Sequence, residues 1–374
     1  MQILHLNSYY NYYGEPAFYK SLYDLQITNG INISVYLPTI SKIVNTLNFG
    51  NYTKVVRAYH KYDRIFFHLK ENKINNLLVK SFNIKEYDIM HAHSTFSNGY
   101  LALKNFKKYG VPYIVAVRDT DMNIFFKRML HLRNLGNEIL FNAEAVIFIS
   151  QSYKEKTISE YIQLDKRLKI EGNSHVIPNG INNYWFQNKN NAKKIGEGTI
   201  KLLYVGRISK RKNLLVTVKA CEILLEQGYN VSFTIIGSVD DEKVFSKILC
   251  KEYVQYFASM PKEDLIYHYR NNDIFVMPSK TETFGLVYAE AMSQGMPIIY
   301  TKNQGFDKQF AEGKVGFSVQ SNAEEEIVEK IKMILEDFNN ISKRCLLNVD
   351  KFKWQNIESQ YKQLYLRIIK SYNI

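Results

Sequence analysis

Short apolar runs recur along the 374-residue chain at 2–6, 31–36, 89–91, 113–117 and 145–149, then again at 202–205, 232–236, 274–277 and 298–300. Longer amphipathic stretches separate them. A near-continuous apolar run of so few residues reads as a strand buried on both faces, which is how parallel sheets are built. The amphipathic stretches supply the helical crossovers that parallel strands need. Two such series predict an α/β protein with two doubly wound, Rossmann-like parallel-sheet domains, over 1–180 and 181–350. Residues 183–198, rich in Asn and Lys, read as a linker or edge loop. The tail, 351–374, reads as a helix with Trp354, Ile357, Tyr361, Leu364 and Ile368 on one stripe.

The most informative stretch, 278–292, reads Pro-Ser-Lys-Thr-Glu-Thr-Phe-Gly-Leu-Val-Tyr-Ala-Glu-Ala-Met. It follows a strand, so it lies at a strand's carboxyl end, where open α/β sheets bind ligands. A helix is predicted to begin near Phe284. Its unpaired N–H groups and dipole suit phosphate or sugar hydroxyls, and Gly285 permits close backbone approach. Glu282 precedes this helix and Glu290 sits nearly two turns into it. Each carboxylate can accept two hydrogen bonds, which suits adjacent hydroxyls of a sugar or ribose. Two glutamates alone are equally compatible with a capping residue and a solvated helix face.

A second strand-to-helix turn, 206–213, reads Gly-Arg-Ile-Ser-Lys-Arg-Lys-Asn. Arg207 can grip a phosphate with two parallel bonds and Lys212 adds a point charge. Fixed cations lower the barrier when a diphosphate leaves with its developing charge. A solvated basic turn is the plain alternative.

Taken together and in this order, the two stretches resemble family 4 of the retaining glycosyltransferases, which have the GT-B fold: two Rossmann-like domains facing across a cleft. That family carries a Gly-Arg…Lys-Asn turn and a later Glu-x7-Glu motif, matched here by Glu282 and Glu290. Val-Ile-Pro-Asn-Gly-Ile at 176–181 looks like its interdomain turn, and Phe148-Ile149-Ser150 like the strand end before that turn. Glu290 to Pro297 is similar to the helix and Gly-x-Pro turn that follow, and Phe352-Lys353-Trp354 to the start of the last helix, which packs back on the first domain.

The resemblance implies an acceptor-side first domain and a nucleotide-sugar-binding second domain. It implies that Arg207 and Lys212 hold the donor's diphosphate. Glu282 binds the transferred sugar with backbone groups of Thr283, Phe284, Gly285 and Leu286, and Glu290 binds the ribose. It implies transfer with retention and no cofactor or bound metal. The donor is a nucleotide-sugar, by base rate a UDP-sugar. It delivers a hexose or N-acetylhexosamine to a glycan or polyprenyl-linked acceptor, as in bacterial surface-polysaccharide synthesis. The family's first loop often holds two adjacent glycines for the diphosphate. Here 9–16 reads Tyr-Tyr-Asn-Tyr-Tyr-Gly-Glu-Pro, so Gly14 is the candidate, or the tyrosines line the acceptor side. A later Gly-Gly turn appears as Gln304-Gly305-Phe306. Where many relatives place a histidine, 118–121 reads Arg-Asp-Thr-Asp, so Arg118 and Asp119 are acceptor-side candidates or a structural pair. His91 and His93 share one face of a strand. No third metal ligand is evident, and His93 is expected at the cleft rim.

The chain carries 49 Lys and Arg against 36 Asp and Glu, a net charge of +13. Such an excess attracts phosphorylated ligands, nucleic acid or anionic lipid, or reflects a solvated surface. No nucleic-acid motif accompanies it. Cys221, Cys250 and Cys345 are far apart and form no metal spacing, which fits a reducing cytosol. No signal peptide is read at the N-terminus, and no run approaches the roughly 20 apolar residues of a membrane span. Any membrane contact is therefore expected to be peripheral, at the inner face of the cytoplasmic membrane. Residues 53–70 read as a basic helix with Tyr59, Tyr62 and Phe66 on one stripe, and 123–134 as a second amphipathic helix. Both are candidates for lying on an anionic surface. Two other readings stay open. One is a non-catalytic scaffold on a degenerate transferase. The other is a different GT-B enzyme, such as a phosphorylase or sugar-nucleotide epimerase.

Overall fold

The computed structural model describes residues 1–10, 17–40, 48–196 and 198–372. Gly14 and its neighbours from 11 to 16 lie outside them. The chain divides into two compact units. The first comprises Met1–Ile149, Tyr153–Pro178 and Trp354–Ile374; the second comprises Ser150–Ser152 and Asn179–Lys353.

The first unit holds a seven-stranded sheet in the order β3-β2-β1-β4-β5-β6-β7. Its strands are β1 (Gln2–Leu6), β2 (Asn32–Thr39), β3 (Thr53–Arg57), β4 (Ile89–Ala92), β5 (Tyr113–Val117), β6 (Ala145–Phe148) and β7 (Ser174–Val176). The second holds six strands in the order β10-β9-β8-β11-β12-β13. These are β8 (Thr199–Val205), β9 (Asn230–Ile236), β10 (Val254–Phe257), β11 (Ile274–Val276), β12 (Ile298–Thr301) and β13 (Gly316–Val319). The strand pairs are parallel. Each sheet reverses direction beside its first strand, at β1/β4 and at β8/β11. Such switch points open a crevice beyond the strand ends.

Each unit has its own apolar core. In the first, Ile3, Val35, Ile89, Ile114 and Ile147 of the sheet meet Leu22 and Tyr23 of the helix Ala17–Thr28. The last helix, Trp354–Tyr372, adds Trp354, Ile357, Tyr361, Leu364, Tyr365 and Ile368 to the same core. Burying that stripe is what orders a helix whose outer face is polar.

Two sequence expectations fail here. Residues 53–70 are not one helix. Thr53–Arg57 pairs with β2 as the sheet's edge strand, a 3-10 turn spans Lys61–Ile65, and a helix begins only at Phe67. The adjacent β-branched Val55 and Val56, with a free sheet edge beside them, outweigh the helical spacing of the basic residues. Residues 123–134 are not one amphipathic helix either. A π turn spans Asp121–Phe126, a 3-10 turn Leu130–Leu132, and a new helix starts at Arg133. Phe126 and Leu132 are buried in the core, while Leu130 and Ile124 face solvent. The apolar residues there serve two opposite faces. In the stretch expected to be a loop, 183–198, a short helix forms at Asn183–Gln187 and buries Trp185.

Candidate functional site

In the second unit the two turns singled out by sequence lie side by side, because β8 and β11 are neighbours at the switch point. Backbone and side-chain bonds join them. The amide of Lys280 donates to the carbonyl of Arg211 at 2.9 Å. The Arg211 guanidinium donates to the carbonyl of Thr281 at 3.0 Å. Asn213, in the left-handed region at φ 62°, donates its side-chain amide to Pro278 at 3.0 Å and also to Ser321. Asn tolerates that conformation better than most residues.

The stapling brings Lys212 against Glu282. Nζ donates to Oε2 at 2.5 Å, and both side chains are about nine-tenths buried. Ser279 Oγ donates to the same carboxylate oxygen at 3.4 Å. The Glu282 backbone is gripped from both sides by the turn after β12. Its amide donates to Gln304 Oε1 at 3.0 Å, and its carbonyl accepts from the Gly305 amide at 2.9 Å. A Cβ at residue 305 would sit 1.7 Å from the Thr283 carbonyl oxygen, so only glycine fits. Sequence reasoning noted this turn as a departure from the family. It missed that the Gln304 side chain holds the Glu282 amide.

The helix that follows runs Leu286–Ser293 and is capped by Gly285 at φ 74°. Phe284 is buried and packs near Phe306 and Phe352, while Thr283 and Leu286 are partly exposed at the helix start. Glu290 has different partners from Glu282. Its carboxylate accepts from Tyr269 Oη at 3.2 Å and from the Trp185 side chain. Burial pushes it up to about 7, against the pull of those two donors. Arg207 stands apart from the Lys212–Glu282 pair. It is mostly exposed and lies 3.3 Å from Asp240, across the bridge between Ile208 and Val239.

In the first unit the structure overturns the rim placement of His93. It is buried with His5 and His91. Nδ1 of His5 and Nε2 of His93 are 3.0 Å apart. Tyr23 and Tyr365 cover them, with Tyr23 Oη 3.1 Å from His93 Nε2 and Tyr365 Oη 2.7 Å from His91 Nδ1. His5 is the neighbour that sequence alone did not supply, because it stands on β1 in register with His91 on β4. Among the described residues, these three could hold a metal ion, their ring nitrogens lying within 4.8 Å of one another. The rings of His91 and His93, however, stack at 4.1 Å with 18° between planes, so their in-plane lone pairs run side by side. Burial keeps all three neutral. It pulls His5 down to about 3 and the others well below the usual histidine range, aided for His91 and His93 by the Arg118 charge. Among the described residues a divalent cation there would have no carboxylate ligand and would share a buried site with that guanidinium, a costly arrangement. Each ring has one nitrogen in a hydrogen bond, and His5 Nε2, His91 Nε2 and His93 Nδ1 are buried without a partner among the described residues.

Arg118 is brought to this cluster, its Nε donating to the His93 carbonyl at 3.2 Å. Asp119 is not. It accepts from Asn123 at 2.6 Å and from Tyr153 at 3.2 Å. Asp121 takes the structural role instead. Its buried carboxylate accepts from the amides of Thr95, Phe96 and Arg118 at 3.0, 3.1 and 2.8 Å, anchoring the start of the helix Ser97–Tyr109. Burial raises it to about 6 despite those three donors.

Residues 185–345 match the family Glycosyl transferases group 1, and residues 28–183 match Glycosyltransferase Family 4. The chain belongs to glycosyltransferase family 4. This family 4 chain is 31% identical over 247 residues to the capsular polysaccharide biosynthesis glycosyltransferase CapM of Staphylococcus aureus. That match covers 59% of the chain and 62% of CapM, under two thirds of CapM's length. It is 24% identical over 315 residues to the alpha-monoglucosyldiacylglycerol synthase of Acholeplasma laidlawii, covering 76% of the chain and 77% of the synthase. Among solved structures it resembles HepE of Anabaena in complex with UDP. The TM-score is 0.70 at 16% identity, with 97% of the chain and 99% of HepE covered. At that identity the likeness shows the fold, GT-B with two Rossmann-like domains.

Proposed function

We propose that this family 4 member is a metal-independent, retaining glycosyltransferase that moves a hexose or N-acetylhexosamine from a UDP-sugar to a lipid-linked glycan in surface-polysaccharide synthesis. The observation that carries this reading is the apposition of Lys212 and Glu282 at the β8/β11 switch point. A fixed cation beside a carboxylate is what a diphosphate next to a sugar requires. In this reading Lys212 and Arg207 hold the diphosphate, with Gly14 and the backbone of Thr283, Phe284, Gly285 and Leu286 assisting. Glu282 accepts from the sugar hydroxyls and Glu290 from the ribose. His93, Arg118 and Asp119 serve the acceptor side, His93 and Asp119 by holding neighbours rather than by contact. UDP in the HepE complex supports the choice of base, and the capsular and glycolipid relatives support the acceptor class.

A thermal-shift screen against UDP, GDP, ADP and CMP and their sugar conjugates tests the donor. Ligand that binds only the folded state raises the melting temperature with concentration over affinity. UDP is expected to give the largest rise. The rise should grow from pH 6 to pH 8, because Glu290 ionises near pH 7 and only the carboxylate accepts from both ribose hydroxyls. No rise with any nucleotide at millimolar concentration counts against the transferase reading, and a rise that shrinks over that pH range removes Glu290 from the ribose.

The proposed site of action is the inner face of the cytoplasmic membrane. No helix among the described residues is long and apolar enough to cross a membrane. In place of the expected long helix, the 3-10 turn and the start of the next helix expose Tyr62 at 84%, Ile65 at 73%, Phe66 at 63% and Leu69 at 68%. Lys61 and Arg64 lie in the same turn and Arg57 ends the strand before it. Apolar side chains rimmed by cations suit an anionic lipid interface. The protein is expected to float with vesicles containing anionic lipid, and the triple substitution Ile65→Ser, Phe66→Ser, Leu69→Ser to remain at the bottom of the gradient. Equal recovery of the unaltered protein with and without anionic lipid sinks the docking idea.

A further inference from the structure

The ligand-free donor site is self-neutralised. Lys212 Nζ is committed to Glu282 Oε2 at 2.5 Å, and little of either side chain reaches water. Lys212 also touches the Met277 sulfur at 3.6 Å, so its ammonium sits low in the turn rather than extended into solvent. The pair bridges two different strand-to-helix turns, whose backbones are already fixed to each other by Lys280, Arg211 and Asn213. The Glu282 main chain cannot retreat, because Gln304 and Gly305 hold it on both sides. Rearrangement is therefore confined to the two side chains.

We infer that Glu282 acts as a latch on Lys212, so that nucleoside diphosphate and transferred sugar are recognised together rather than independently. This rests on the donor-site reading above. A diphosphate arriving without its sugar draws on the same ammonium and brings its own charge beside that largely buried carboxylate. Two like charges a few ångströms apart in a poorly hydrated site repel strongly. A diphosphate carrying a sugar supplies hydroxyl donors at the place Lys212 vacates, and the carboxylate is satisfied again. Ser279, already 3.4 Å from the same oxygen, can follow the carboxylate in either position. The exchange is one of hydrogen-bond partners only, and no covalent bond changes. Its consequence is discrimination against the spent nucleotide, which favours product release.

The test compares UDP, inorganic pyrophosphate and UDP-glucose as probes, by titration calorimetry, on the full chain and on Glu282→Gln. Glutamine keeps the size and removes the charge. UDP and pyrophosphate are expected to bind Glu282→Gln about tenfold more tightly than the unaltered protein, the effect of removing one close like charge. UDP-glucose is expected to gain less than UDP, so that the preference for sugar-bearing nucleotide narrows. Glu282→Asp keeps the charge but withdraws it by one methylene. It is expected to fall between the two, and it carries the test if the glutamine variant does not fold. Equal or weaker binding of UDP and pyrophosphate by these variants, with the unaltered protein binding normally, overturns the latch and leaves the donor site standing. Failure of the unaltered protein and both variants to bind any of the three probes overturns both.

Discussion

Replacing Lys212 with alanine is expected to lower the transfer rate by about 10²–10³-fold, the usual cost of removing one preorganised charge from a developing anion. The side chain is nine-tenths buried and aimed at Glu282, so no neighbouring lysine can take its place. Lys210 is exposed on the same turn and lies 4.0 Å from Asp241, on the other side. The substitution also leaves Glu282 with one partner fewer in a poorly hydrated site. A stability loss of about 1–3 kcal/mol is expected from that largely buried imbalance. Initial rates must therefore be compared at a temperature where both proteins are folded, with the nucleotide-sugar that gives the largest thermal shift. An unchanged rate under those conditions removes Lys212 from the diphosphate. A rate loss fully explained by unfolding does the same.

Trp354→Ala is expected to destabilise the first unit by about 3–5 kcal/mol, the cost of deleting a large aromatic side chain from a packed core. Trp354 opens the last helix and is 6% exposed within the first core. Its loss opens a cavity at the point where the chain re-enters this unit from Lys353. The rest of the stripe stays anchored. Tyr365 bonds to His91 at 2.7 Å, and Asn29 donates to Glu358 at 2.5 Å. The helix is thus expected to loosen from its N-terminal end. Guanidinium unfolding followed by circular dichroism reads the effect as a lower midpoint of the transition that belongs to this unit. Two domains need not unfold as one, so each transition is fitted separately. A midpoint within experimental scatter of the unaltered protein means that the helix is not held by this residue.

The interior strands of both sheets were legible because they are covered on both faces. Every run read from sequence as a strand is present. The four strands that sequence reasoning passed over, β3, β7, β10 and β13, are the outer strands of the two sheets. An edge strand has one neighbour and less apolar cover, so its residues alternate or carry polar groups. Thr53–Arg57 and Val254–Phe257 are half-exposed along their length, and Gly316–Val319 contains a glycine and a serine. Such segments acquire their structure from the strand beside them. The same cause underlies the misread helix at 53–70, where local spacing and lateral pairing disagreed and the pairing won.

In the site, local sequence determined the two strand-to-helix turns, the cation at Lys212, the carboxylates at Glu282 and Glu290, and the two-domain α/β class. Each of these depends on residues close together in the chain. Partnership was decided only by the tertiary structure. The sheet order places β8 next to β11 and so sets Lys212 against Glu282, 70 residues on. It carries Gln304 back to the Glu282 amide, sends Arg207 toward Asp240, and turns Glu290 inward to Tyr269 and Trp185. In the first unit it stands β1 beside β4 and adds His5 to His91 and His93, while the last helix sets Tyr365 against His91. A charge or ring nitrogen in sequence has only its intrinsic chemistry. Whether it is desolvated, paired or free depends on which distant strand lies beside it, and that is a property of the sheet's order rather than of the turn that carries the residue.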